Sequence, residues 1–437
     1  MKNAFLHISD LLKTWLPIKM RFDNETGLSI QISHSDFKEN FTYGYADIKR
    51  RKKLTGNTKI RIASISKTFT AVAILKLHED KRLDINDPVY KHLSWFNREG
   101  HRKITITDLL THSAGIIRDG STDQWDSGIF PKNLQSDYSD ESMTLKRGSS
   151  FKYSNYGYAL LGQVIEIASG MTYEQYIQKT ILQPLSLKDT YVDYKPFLKK
   201  EMPIGYLRYL SGESRKKFRH TATNVYAPAT GFISTNSNLS IFLHSLRIDI
   251  DPSKSILLKK TKRMMQKKHI YVDENKKDHA YGLGIDILKV GGRKVIGHSG
   301  GYMGFTSGAY MDVKSGMIIT GFTNSIMSNI NSIIKSIFEI FHALDGSDTF
   351  KKSKHAGYYS GVWGDVIVSS WQNALLVFHP KSNNPLNNPS YLRKVRNNKY
   401  LSHQKSGYGY VGEDIVFKKL KGKDAMINGV LQYIRKS

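Results

Sequence analysis

The sequence predicts an α+β fold: an antiparallel sheet flanked by helices, a mainly helical subdomain, and a small all-β domain at the C-terminal end. Three observations carry this. Strand-like and helix-like runs at both ends of residues 1–345 flank a long helix-and-loop section, a polar stretch follows, and residues 355–437 switch to short β-like pieces between Asn, Pro and Gly turns. The length of 437 residues suits two or three domains. Hydrophobic and aromatic contents of 40% and 11% exclude a disordered chain.

The elements follow in order. Phe5, Ile8, Leu12, Trp15 and Leu16 recur at helical spacing and predict an amphipathic first helix that packs on its domain. Leu28–Ile32 and Phe41–Asp47 read as short strands, and Ser64 to about Lys81 as a helix. A section of helices and loops extends to about Lys268. Lys294–Ile296, Phe305–Val313 and Met317–Thr323 read as three successive strands, the last two joined by a tight turn at Lys314, Ser315 and Gly316. A final amphipathic helix, about Asn329 to Leu344, puts Ile330, Ile333, Ile334, Ile337, Phe338 and Phe341 on one side. These signals divide the chain into a domain at 1–345, a linker at 346–354 and a β domain at 355–437, with Val366–Ser369, Ala374–Phe378 and Asp414–Phe417 among its strands.

Composition narrows the chemistry. The chain has no cysteine, which excludes disulfides, thiolate nucleophiles and cysteine-ligated metal clusters. Covalent catalysis must then use Ser, Thr, Lys, Tyr, His or a carboxylate. The 65 Lys plus Arg against 38 Asp plus Glu give a net charge of +27, and residues 351–437 hold 15 of these cations against 4 acids. Such a domain attracts polyanions whatever its fold, so a polyanion is an expected partner there. His78, His112 and His298 lack metal-ligand spacing, and no metal or cofactor is expected. The N-terminal stretch lacks the unbroken apolar run of a secretory signal, and no window reaches the length of a membrane span, so the expected location is cytoplasmic.

Three segments carry chemistry. Ser64-Ile-Ser-Lys67 opens a helix, where free backbone N–H groups favour a developing anion and a lysine three positions on returns to the serine. A partly desolvated lysine can take a serine proton; alone, however, the motif reads first as an ordinary helix cap. Tyr153-Ser-Asn155 precedes a second helix that stops at Gly170, with Asn155 placed as its cap. On extended backbone Tyr153 and Asn155 face the same way, so a phenol that relays a proton stands beside an amide that holds a carbonyl. Gly297-His298-Ser299-Gly300-Gly301 leaves a strand; its small residues let a substrate backbone lie along the edge, and His298 and Ser299 can bind an anion or a carbonyl.

In this order and at these separations the segments resemble the active-site motifs of the penicillin-recognising serine hydrolases. The Tyr-x-Asn form resembles the class C β-lactamase branch, with its D-stereospecific peptidases and esterases. Ile104–Gly115, Tyr153–Gly162, Ala229–Thr235 and Tyr281–Gly284 extend the likeness over about residues 20–345. The resemblance implies a β-lactamase/transpeptidase-like fold and a serine hydrolase acting on a small amide or ester, such as a D-amino-acid peptide. It implies Ser64 as the acylated nucleophile, Lys67 as proton acceptor, Tyr153 as proton shuttle and Asn155 as carbonyl ligand. His298, Ser299 and Gly300 would line the substrate, and the backbone N–H groups of Ser64 and Gly301 would form the oxyanion hole. His298 stands where β-lactamases have lysine, and a neutral histidine grips a carboxylate less firmly, which favours peptidase or esterase over β-lactamase chemistry. The expected partner is a small molecule or short peptide, with loops Ile116–Arg147 and Arg208–Tyr226 at the cleft edge. The alternative is a catalytically silent fold that binds a polyanion or a protein through its basic C-terminal region.

Overall fold

A computed structural model describes residues 2–34, 37–120, 123–207, 214–346, 350–403 and 411–436. The chain forms two compact units, Thr26–Asn331 and the pair of segments Met1–Glu25 and Ser332–Ser437.

The first unit is built on a nine-stranded sheet. Its strands are β1 (Gly27–His34), β2 (Phe37–Asp47), β3 (Lys52–Lys53), β4 (Ile270–Asp273), β5 (Lys276–Tyr281), β6 (Asp286–Val290), β7 (Arg293–Tyr302), β8 (Phe305–Asp312) and β9 (Ile318–Thr323), in the spatial order β3-β2-β1-β9-β8-β7-β6-β5-β4. All its pairings are antiparallel. The β8–β9 turn follows the expected chemistry: Asp312 Oδ1 accepts the Lys314 and Ser315 N–H groups, and Gly316 takes a left-handed φ of 77°. β7 pairs with β6 only from Arg293 to Gly297, so His298–Tyr302 run on with that edge unpaired by β6.

The helical part carries α2 (Ser66–Glu79), α3 (Asn155–Ser169) and α4 (Asn236–Ser245), after the first helix α1 (Lys2–Asp23) of the other unit. α2 is buried nearly all round from Ser66 to Leu75, with Phe69 stacked on Phe242 of α4 at 3.7 Å. A helix so enclosed needs no amphipathic stripe. Strand β1 extends beyond the predicted Leu28–Ile32, and β4–β6 fall between about Lys268 and Lys294, where no element was expected.

In the second unit eight strands close into an antiparallel barrel: β10 (Gly357–Gly361), β11 (Gly364–Trp371), β12 (Ala374–Phe378), β13 (Ser390–Arg396), β14 (Lys399–Ser402), β15 (Asp414–Leu420), β16 (Lys423–Asn428) and β17 (Leu431–Lys436). β17 returns to β10, which removes the free edges. Tyr359, Val368, Leu375, Leu392, Ile415, Phe417 and Met426 fill it. Two helices fall in this unit rather than with the nine-stranded sheet, where the expected boundary at residue 345 places them. Trp15 of α1 meets the ring of Phe378 edge-on at 6.3 Å and donates to the Pro380 carbonyl at 3.3 Å, while buried Lys19 reaches the Lys381 carbonyl at 2.9 Å. Ser336 of α5 (Ile330–Leu344) donates to the Asn383 carbonyl at 2.7 Å. Of the expected linker 346–354, residues 347–349 lie outside the described residues. Among the described residues no helix is long and apolar enough to cross a membrane.

Candidate active site

Ser64 stands in a short 3-10 turn, Ala63–Ile65, one step before α2. The strand-like pair Arg61↔Ile233 and the Ile62 N–H to Phe232 carbonyl bond at 2.9 Å hold this approach. Ala63 carries a left-handed φ of 50°, a conformation that costs an alanine about 1–2 kcal/mol and turns the chain sharply ahead of Ser64. The Ser66 hydroxyl closes the turn, donating to the Ala63 carbonyl at 2.5 Å and accepting the Phe232 N–H at 3.1 Å.

Lys67 lies on the first turn of α2 and is fully buried. Its Nζ is 3.3 Å from Ser64 Oγ, 2.7 Å from Asn155 Oδ1 and 2.8 Å from the Ala229 carbonyl. Burial pulls its pKa well below the ordinary lysine range, Asp119 opposes that shift, and Arg118 adds to it. A neutral amine has two N–H groups and one lone pair. With Asn155 Oδ1 and the Ala229 carbonyl as acceptors, the lone pair is left for Ser64.

The cap of α3 differs from expectation. Ser154 is the cap residue, its Oγ accepting the Gly157 N–H at 2.8 Å and donating to the Ile117 carbonyl at 2.6 Å. Asn155, relieved of capping, becomes the first helical residue and aims its amide at Lys67. Its Nδ2 donates to Asp119 Oδ1 at 2.8 Å, which fixes the amide orientation and leaves one N–H for a ligand. Tyr153 is half-buried and hydrogen-bonded to Ser64; burial raises its pKa above the ordinary tyrosine value, so it holds its proton. Lys67 Nζ sits 4.7 Å from the Tyr153 ring centroid. Behind the phenol, His112 packs its ring 4.3 Å away and accepts the Ser154 N–H on Nδ1 at 3.1 Å.

The third segment is the free-running end of β7. Gly300 has no room for a side chain: a Cβ there would lie 2.2 Å from the Ile62 carbonyl. That close approach brings β7 against the Ser64 turn, whereas Gly301 is exposed and open. His298 is buried, with Nδ1 at 2.5 Å from the Ser299 carbonyl and Nε2 at 3.0 Å from Tyr281 Oη. A carbonyl only accepts, so Nδ1 carries the proton and Nε2 receives the tyrosine hydroxyl. Burial lowers the histidine's pKa, in keeping with this neutral ring.

These groups share one cavity of ≈ 460 Å³, whose walls include Ser64, Tyr153, Asn155, His298, Ser299, Gly300 and Gly301. All the residues expected at the site are thus adjacent, with Lys67 just beneath the surface. The cavity also uses residues that sequence reasoning missed: Arg118, Asp119, Trp125, His279 and Asp286. The first three lie in the loop expected at the cleft edge. Of the second loop, residues 208–213 lie outside the described residues, and Thr221 meets Tyr302 Oη at 3.1 Å. Arg61, fully buried below the site, donates to the Gly231 and Thr221 carbonyls, lies 3.6 Å from Asp193 and stacks 4.3 Å over Tyr302. It fastens the Ser64 approach to the strand end beyond Gly301.

Comparison with known proteins agrees with this architecture. "Protein flp" of Staphylococcus aureus (strain MW2) is 37% identical over 171 residues, 38% of this chain and 34% of that protein. "Penicillin-binding protein 4*" of Bacillus subtilis (strain 168) is 31% identical over 199 residues, 44% of this chain and 42% of that protein. The chain therefore matches only about a third to two fifths of the length of these relatives. The octameric penicillin-binding protein homologue from Pyrococcus abyssi shares the fold over 97% of this chain and 99% of its own, at 24% identity and a TM-score of 0.68. The D-amino acid amidase from Ochrobactrum anthropi SV3, complexed with D-phenylalanine, does so over 75% and 98%, at 20% and 0.63. The Beta-lactamase family model matches residues 21–328, the span that carries the nine-stranded sheet, α2 to α4 and the cavity, and the chain belongs to that family.

Proposed function

We propose that the chain is a serine hydrolase that cleaves a small amide or ester through an acyl-Ser64 intermediate. The observation that carries this is the 3.3 Å approach of Ser64 Oγ to a buried Lys67 Nζ whose other partners are both acceptors. Ser64 Oγ attacks the substrate carbonyl as its proton passes to Lys67. The backbone N–H groups of Ser64 and Gly301 stabilise the oxyanion, each such donor contributing about 3–4 kcal/mol. The C–N or C–O bond then breaks, Tyr153 hands a proton to the departing group and is reprotonated from Lys67, and water releases the acid from Ser64. The free N–H of Asn155 holds the substrate carbonyl. The family and the amidases of the same fold support amide chemistry; the neutral His298 favours peptidase or esterase over β-lactamase activity. The test is a fluorophosphonate or fluorescent penicillin with intact-mass readout. One adduct forms on the wild type and none on Ser64→Ala; equal labelling of both, or none on the wild type, would overturn the reading.

A binding role for the barrel has its own supporting observation. A cavity of ≈ 310 Å³ at one end is bordered by Lys354, Lys418 and Lys419, with Asp424 as the counter-charge among its described residues. We propose that this end contacts a polyanion. Binding of a single-stranded oligonucleotide should weaken steeply with salt, survive Ser64→Ala and drop when all three lysines become Glu; indifference to that triple change counts against it.

A further inference from the structure

We propose that the cavity selects acyl donors whose leaving group carries no carboxylate, taking uncharged or amine-bearing amides and esters in preference to carboxylate-terminated ones. The inference rests on the hydrolase reading and concerns the charge lining the same site.

A substrate carboxylate needs an uncompensated cation or several free donors. The site offers neither at the end of β7. Both nitrogens of His298 are already engaged, Nδ1 with the Ser299 carbonyl and Nε2 with Tyr281 Oη, so the ring has no N–H to give. Tyr310, next to Ser299, donates its hydroxyl to Asp286 Oδ2 at 3.4 Å. Asp286 lines the cavity as a buried carboxylate, opposite Gly297 in the sheet register. Its Oδ1 is 2.8 Å from His279 Nε2, so the pair carries one negative charge or none according to the state of that histidine, and never a net positive charge. Arg118, the permanent cation among the described lining residues, has Nε 3.4 Å from Asp119 Oδ2. Lys67 is spent on Asn155, Ala229 and Ser64. A carboxylate placed against Ser299 would thus face Asp286, with Arg118, the permanent cation among the described lining residues, already facing Asp119, and like charges brought together in a partly dry site repel strongly. An amine in the same place would find Asp286 as its partner.

The experiment uses the full chain and a matched pair of substrates, the phenyl ester of an N-acylated D-alanine and its meta-carboxyphenyl counterpart, which differ in the leaving-group charge. The neutral ester should show a kcat/KM at least about tenfold higher. The gap should narrow as ionic strength rises. Asp286→Asn and His298→Lys should each shift the ratio toward the carboxylated ester, whatever they do to the absolute rate. Fluorophosphonate labelling of Ser64 in the same preparation separates the two claims. Labelling together with a ratio of one or less overturns the selectivity alone, and no labelling overturns the hydrolase reading and the selectivity with it. If the variants do not fold, the wild-type ratio and its salt dependence decide.

Discussion

Lys67→Arg should acylate Ser64 about 10²- to 10⁴-fold more slowly than the wild type, the range for loss of a positioned general base. A guanidinium stays protonated at any working pH and has no lone pair to accept the serine proton. In the wild type, burial lowers the Lys67 pKa, so the labelling rate should climb as pH rises through that lowered value and level off well before the ordinary lysine range. The variant should show no such climb. Rates of fluorophosphonate labelling across pH, read by intact mass, check both statements, and near-wild-type labelling of Lys67→Arg would remove Lys67 from the mechanism. Stability carries the same signature. Between the lowered folded pKa and the ordinary value, the unfolded chain binds a proton at position 67 that the folded chain does not, so stability rises with pH across that window. Lys67→Met should abolish this part of the slope in denaturant titrations.

Arg61→Met should cost about 3–5 kcal/mol, the range for removing one partner of a buried ion pair. The substitution strands Asp193, whose carboxylate also accepts the Tyr194, Thr223 and Asn224 N–H groups, and it orphans the Thr221 and Gly231 carbonyls. Burial already raises the Asp193 pKa, and Arg61 offsets part of that rise. Without the arginine the carboxyl binds its proton at still higher pH. The folded state then holds more protons than the unfolded one, so the deficit should grow as pH increases from the acid side toward neutrality. Urea unfolding with an unchanged m-value and a lowered midpoint is the expected outcome; a loss under about 1 kcal/mol would mean that the neighbourhood relaxes around the missing cation.

The site was legible where its chemistry sits in short contiguous runs. Ser64 with Lys67, Tyr153 with Asn155, and His298 with Ser299 each declare themselves by residue type and spacing, and the fold brings all three runs to one cavity. What completes the site was not legible. Asp119 matters because it orients Asn155 from 2.8 Å away, and Asp286 because β6 lays it opposite Gly297; neither position has a local pattern that shows this. The cap of α3 slipped by one residue because Ser154 and Asn155 are both good caps, and only the tertiary demand of Lys67 on Asn155 decides between them. Strand β5, next to the edge strand β4, begins with Lys276, Lys277 and Asp278, and this charge near the sheet margin erases the apolar alternation by which strands are recognised. The apolar stripes of α1 and α5 were read correctly as stripes. A stripe names a face and not its partner, which is why the boundary near residue 345 does not coincide with the division between the compact units.

The docking of α1 on the barrel has a consequence for how the protein is made. Trp15 and Lys19 are translated before the Thr26–Asn331 unit, and Phe378, Pro380 and Lys381 after it. At about 5–20 residues per second, synthesis of Thr26–Asn331 takes roughly 15–60 seconds, during which the apolar face of α1 has no barrel to cover it. Nor can the barrel close until β17 has left the ribosome to meet β10. Helix α1 and strand β17 thus mature together, and the chain must shelter one hydrophobic helix face while the whole Thr26–Asn331 unit is made between them.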